Sequence, residues 1–177
     1  MSEETKPPEG DEGMGHYLRD MVYGATDGII TTFSVVAGVA GANLDHTIII
    51  ILGIANLVSD GLSMAASNYL GMKSDIDRLG LSVHVEKPER HGLATFLAFV
   101  VAGAFPLMPY LIPAMADENI FAVSVVGALG ALAMVGGLRS FFTGKSFWRS
   151  ALEMLFIGGA AGSLAYGIGA GLAGLVT

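Results

Sequence analysis

The chain has 177 residues, of which 53% are hydrophobic and 14% charged, with 25 Gly, no Cys and a formal net charge of -7. A water-soluble domain carries roughly a quarter charged residues, so this composition excludes an ordinary globular protein. The lack of Cys removes disulfides, thiolate metal sites, iron–sulfur clusters and cysteine nucleophiles together, and no nucleic-acid partner is expected.

Residues 1–15 hold Glu3, Glu4, Glu9, Asp11 and Glu12 among Pro and Gly. They read as a disordered acidic tail ahead of one domain over residues 16–177. A cleavable signal would start basic and continue into a short apolar core, so the first apolar run is expected to be retained as a span. Five runs then follow almost free of charge: Tyr23–Ala42, Thr47–Gly71, Gly92–Met115, Asn119–Gly137 and Ala151–Val176. About 20 apolar residues cross a bilayer, so the fold class is an all-α integral membrane protein with five transmembrane helices.

All nine Lys and Arg fall at one end of that arrangement. Lys6 and Arg19 precede span 1; Lys73, Arg78, Lys87 and Arg90 lie between spans 2 and 3; Arg139, Lys145 and Arg149 lie between spans 4 and 5. Short cytoplasmic loops retain basic residues, which puts the N-terminus in the cytoplasm and the C-terminus on the opposite side. Pro106, Pro109 and Pro113 predict a kink or early stop in span 3. The glycines of spans 4 and 5 predict close helix packing within the bundle. The segment 72–91, with Asp75, Asp77, His84, Glu86, Glu89 and His91, reads as a solvated charged loop.

Ionisable groups inside a span cost roughly 2.5–3.5 kcal/mol on insertion scales, so each requires an explanation. Glu153 lies four residues after Arg149, and an interfacial ion pair between them accounts for it. In span 2, Asn56, Asp60, Met64 and Asn68 recur every four residues with Ser63 and Ser67 beside them, which places them on one helical face. In span 1, Asp27, Thr31, Ser34 and Gly38 form a matching stripe. Counting 1.5 Å per residue from the cytoplasmic ends of the runs puts Asp27 about 6 Å deep, Met64 about 10 Å and Asp60 about 16 Å. Carboxylates, amide oxygens and a thioether are all acceptors, so the stripe suits a cation, and the thioether favours a transition metal over Mg²⁺ or Ca²⁺.

The stretches LRDMVYGATDGIITTFSVVAGVAGA, Leu18–Ala42, and GIANLVSDGLSMAASNYLGMK, Gly53–Lys73, resemble the first two spans of the vacuolar iron transporter family. The resemblance implies a homodimer in which spans 1 and 2 of both copies line a path for Fe²⁺ or similar divalent ions, exchanged for protons. It also implies that Asp27 and Met64 handle metal. The chain departs from that family's vacuolar members in the segment 72–91, which is too short for their cytoplasmic metal-binding domain.

The expected function is export of Fe²⁺, or an ion such as Mn²⁺, from the cytoplasm by proton antiport. Asp27, Met64, Asn68 and Asp60 are the metal residues, and Thr31, Ser34, Asn56 and Ser67 line the path. The metal is cargo, and no cofactor is expected. The membrane is expected to be the cell's cytoplasmic membrane, or a vacuolar or other organelle membrane in a eukaryote. A membrane scaffold of the same fold is the alternative, and an enzyme is not expected, since the Glu-x-x-His pairs of a di-iron carboxylate centre are missing.

Overall fold

The computed structural model describes residues 12–79, 87–112 and 119–176. Its elements are α1 (Glu12–Gly41), α2 (His46–Leu79), α3 (Pro88–Gly103), a 3₁₀ turn at Phe105–Leu107, α4 (Met108–Leu111), α5 (Ile120–Thr143) and α6 (Phe147–Val176). With α3 and α4 counted as one interrupted span, five segments are long and apolar enough to cross a membrane. The protein is a multi-pass membrane protein. Of the expected tail, residues 1–11 lie outside the described residues, and α1 takes up the remaining four.

The α1–α2 turn is closed at both ends by backbone chemistry. Asn43 adopts φ 55°, and the amides of Asn43 and Leu44 donate to the carbonyls of Ala40 and Val39, which satisfies the last carbonyls of α1. Asp45 then caps α2, its Oδ1 accepting from the Thr47 amide at 2.7 Å.

Helix α2 is 34 residues long, roughly 50 Å, and so runs well past the hydrocarbon layer. The expectation of a solvated loop over 72–91 is corrected at both ends. Polar residues after Gly71 stay helical because Ile76 packs inward, 8% exposed, and α3 starts already at Pro88, a residue suited to a first helical turn. His84 and Glu86 lie outside the described residues.

The expected break in span 3 is present. Pro106 cannot donate to the preceding turn, α3 stops at Gly103, and the chain continues as the 3₁₀ turn and α4. Ser124 Oγ of α5 donates to the Pro106 carbonyl at 2.6 Å, supplying a partner to backbone released by the break. Pro113 lies outside the described residues.

Helix α1 occupies the centre of the bundle and packs against α2, α3, α5 and α6. Its approach to α3 is close. A Cβ on Gly24 would stand 2.5 Å from the Thr95 carbonyl oxygen, and one on Gly28 would overlap the Phe99 carbonyl, so only glycine permits this contact. Val36, Leu57, Phe99, Leu107 and Ile120 form one core cluster; Ile29, Phe33, Leu132 and Met154 form a second. In α6, Gly158 and Gly162 pack on Leu132 and Phe33 as expected, while Gly167, Gly171 and Gly174 face open space.

Candidate metal-transport site

The α1–α2 hairpin fixes the level of every polar group on its two helices. Asp27 lies fourteen residues back from Gly41, and Asp60 fourteen residues on from His46. At about 1.5 Å per residue both sit roughly 21 Å from the turn, side by side. Asp60 stands near enough for its charge to act on Asp27 across the hairpin, and Thr31 lies beside Asp27 on the same helix. This corrects the expected depth order, in which Asp60 lay deeper than Asp27. Both helices continue past their apolar runs, so the ends of those runs do not mark a common membrane surface.

Asp27 is exposed on the flank of the single chain, while Thr31, Ser34, Asn56, Asp60, Met64 and Asn68 are half-buried along the helix seams. Met64 packs against the apolar cluster containing Leu57 and Phe99. The Asn68 amide turns toward α3, where its Nδ2 donates to Thr95 Oγ1 at 2.7 Å. Ser67 is not in the seam; like Ser59 and Ser63 it lies on the exposed face of α2.

The expected Glu153–Arg149 pair is also corrected. Glu153 Oε2 is 3.5 Å from Arg139 Nη1 of α5, because α5 and α6 pack side by side at their basic ends.

Three residues with no sequence signal complete the polar architecture. Asp20 of α1 and His91 of α3 are 4% and 2% exposed, with His91 Nδ1 2.5 Å from Asp20 Oδ2. Tyr17 stacks on the His91 ring at 4.1 Å, and Arg19 lies 3.8 Å from Asp20. Thr95, fully buried, donates its hydroxyl to the His91 carbonyl at 2.9 Å.

Among the described residues no three His, Cys, Asp or Glu side chains converge as a metal site. One chain therefore presents two carboxylates at one level of the α1–α2 hairpin, with neutral oxygen and thioether donors on the same two helices, a set chemically suited to loose, exchangeable binding of a divalent cation rather than a closed structural centre.

Comparison with known proteins agrees with this architecture. The family model described as VIT family matches residues 18–89 and 76–170, two pieces that overlap where α2 gives way to α3. Vacuolar iron transporter 1 of Eucalyptus grandis is 25% identical over 214 aligned positions, covering 87% of this chain and 86% of that protein. Vacuolar iron transporter 2 of Oryza sativa subsp. japonica is 27% identical, with 87% of each covered. Vacuolar iron transporter 1 of Arabidopsis thaliana is 26% identical, covering 86% of this chain and 84% of that protein. With a family model matching most of its length and relatives aligned across nearly all of theirs, the chain belongs to the VIT family.

Proposed function

We propose that the protein exports Fe²⁺, or a similar ion such as Mn²⁺, from the cytoplasm in exchange for protons, as a homodimer whose path is lined by α1 and α2 of both copies. The reading rests on Asp27 and Asp60 standing at one level of the α1–α2 hairpin, near enough to interact, with Asp27 exposed on its flank. Two carboxylates within a membrane require positive charge between them, and either a divalent ion or protons supply it. Alternation between those two occupants is metal–proton exchange.

Polar groups left on the outside of the single chain support the dimer. A charged Asp27 and the exposed Ser59, Ser63 and Ser67 are costly against lipid, and a second hairpin covers them while doubling the carboxylates around the ion. The basic ends of the spans face the cytoplasm on this reading, and the membrane is the cell's cytoplasmic membrane. Met64 supplies a soft donor, and Asn68 a neutral amide oxygen. The names of the relatives support iron as cargo.

The test is anaerobic Fe²⁺ and Mn²⁺ flux into proteoliposomes under an imposed pH gradient. Gradient-dependent flux should be lost in folded Asp27→Ala and Met64→Ala. A folded wild-type protein that moves neither ion would sink the proposal.

A further inference from the structure

We propose that the cleft between α1, α3 and α5 holds one acyl chain of an anionic phospholipid, whose phosphate is bound by Arg19, Lys87 and Arg90 at the basic end of the bundle. The cleft lies on the opposite side of α1 from Asp27, and the proposal stands whether or not the protein carries ions.

The cleft exists because α1 packs closely on both α3 and α5 while those two stay apart. It measures about 380 Å³, and every residue lining it is apolar. The small side chains of Ala25 and Ala98 leave the space, and Val101, Phe105 and Leu138 stand exposed at its rim. Gly24 meets Thr95 where α1 and α3 touch, so the lining from Leu18 to Phe105 covers about 24 Å of height at about 1.5 Å per residue. One leaflet's hydrocarbon is about 15 Å deep, half of a layer of roughly 30 Å, so a whole acyl chain fits along the cleft.

Charge at the mouth selects the headgroup. Arg19 follows Leu18 directly, and the contact between Asp20 and His91 brings Arg90 to the same level of the bundle. Arg90 and Lys87 precede Ala98 by eight and eleven residues, which puts both in helical register with the lining face of α3. All three side chains are exposed. The carboxylates nearby are engaged elsewhere: Asp20, 3.8 Å from Arg19, is buried against His91, and Glu89 lines a separate cleft between α2 and α3. Three cations over an apolar cleft match a phosphate over an acyl chain, whereas the ammonium group of a zwitterionic lipid would be repelled there.

The chain has no Cys, so Val101→Cys on the rim of the cleft, or Phe156→Cys on the exposed face of α6, can carry a single fluorophore. Each labelled protein is reconstituted in phosphatidylcholine vesicles doped with phosphatidylglycerol or phosphatidylcholine bearing brominated acyl chains, which quench on contact. At Val101→Cys, half-maximal quenching should need about tenfold less brominated phosphatidylglycerol than phosphatidylcholine. At Phe156→Cys the two lipids should quench alike. Replacing Arg19, Lys87 and Arg90 together by Gln should abolish the preference at Val101→Cys, and so should Ala98→Phe, which fills the cleft and keeps all three cations. Should Ala98→Phe fail to fold, the Gln replacements of exposed side chains decide alone. Equal quenching by the two lipids at Val101→Cys, the same preference at Phe156→Cys, or a preference that survives either change overturns the proposal.

Discussion

His91 Nδ1 and Asp20 Oδ2, 71 residues apart in sequence, lie 2.5 Å apart at the basic end of the bundle and tie α1 to α3 where both are buried. Removing one partner of such a pair is worse than replacing it, because Asp20 is then left in a poorly hydrated place with the more distant Arg19, 3.8 Å away. His91→Ala should destabilise the protein by about 3 kcal/mol, while His91→Gln, which keeps a donor, should cost about 1 kcal/mol. Thermal unfolding of the detergent-solubilised variants measures the difference. Equal midpoints for the two would show that the pair contributes only volume.

How far the sequence reveals this molecule depends on which physical quantity carries each feature. The five spans are written in composition, so their number and order are readable directly. Their ends are not, because α2 runs on past the last residues of its apolar run at Gly71 without ceasing to be a helix, held by the burial of Ile76. The polar stripes follow from a four-residue period, and Thr31, Ser34, Asn56, Asp60, Met64 and Asn68 are half-buried while Asp27 and Ser67 are exposed, but their relative depth requires a reference point. The short turn at 42–45 is that reference, and counting from it makes Asp27 and Asp60 neighbours. Asp20, His91 and Thr95 carry no periodic or motif signal, and only the packing of α3 on α1 brings them together.

That packing rests on two hydrogen atoms, those in place of side chains at Gly24 and Gly28. A methyl group at Gly24 would lie 2.5 Å from backbone oxygen, which cannot move aside as a side chain can. Gly24→Ala should therefore destabilise by about 2 kcal/mol. Gly171→Ala, at a position with open space around it, should change stability by less than about 0.5 kcal/mol. Paired thermal melts decide the matter, and a neutral Gly24→Ala would mean that the helices separate without penalty.

Asp45 gives the fold a defined acid sensitivity outside the membrane. Hydrogen bonds from Thr47, its side chain foremost and then its amide, hold the Asp45 carboxyl below the usual carboxylate range. A depressed pKa in the folded state contributes stability that is present above the unfolded value, near 3.9, and is lost as pH falls through the folded one. Unfolding midpoints should thus decline below about pH 4 in wild type. In Asp45→Asn, which still caps but does not titrate, the decline should be shallower. Parallel acid curves for the two proteins would remove Asp45 from the account.

Glu153 and Arg139 form an ion pair whose side chains are 49% and 32% exposed at the basic end of α5 and α6. Pairs this accessible contribute little, because water and salt screen them and two long side chains must be ordered. Glu153→Gln should lower stability by at most about 0.5 kcal/mol and leave metal flux intact. Loss of flux in a stably folded Glu153→Gln would instead place this carboxylate on the ion's route.

Asp27 and Asp60 make the sharpest test of the proposed exchange, which demands that their combined charge be answered at every stage. Asp27→Asn removes the charge on the open flank, and on the proposed transport reading flux should fall at least tenfold, the equivalent of about 1.4 kcal/mol. Asp60→Asn leaves Asp27 in place but halves the negative charge contributed by each chain. Whatever transport survives should then move fewer protons per ion, by up to about two on the dimer proposal, since each copy has one carboxylate fewer to reprotonate. Simultaneous recording of metal uptake and internal pH yields that ratio. An unchanged ratio would mean that Asp60 holds no exchanged proton, and that the charge acting on Asp27 from across the hairpin only shapes the site electrostatically.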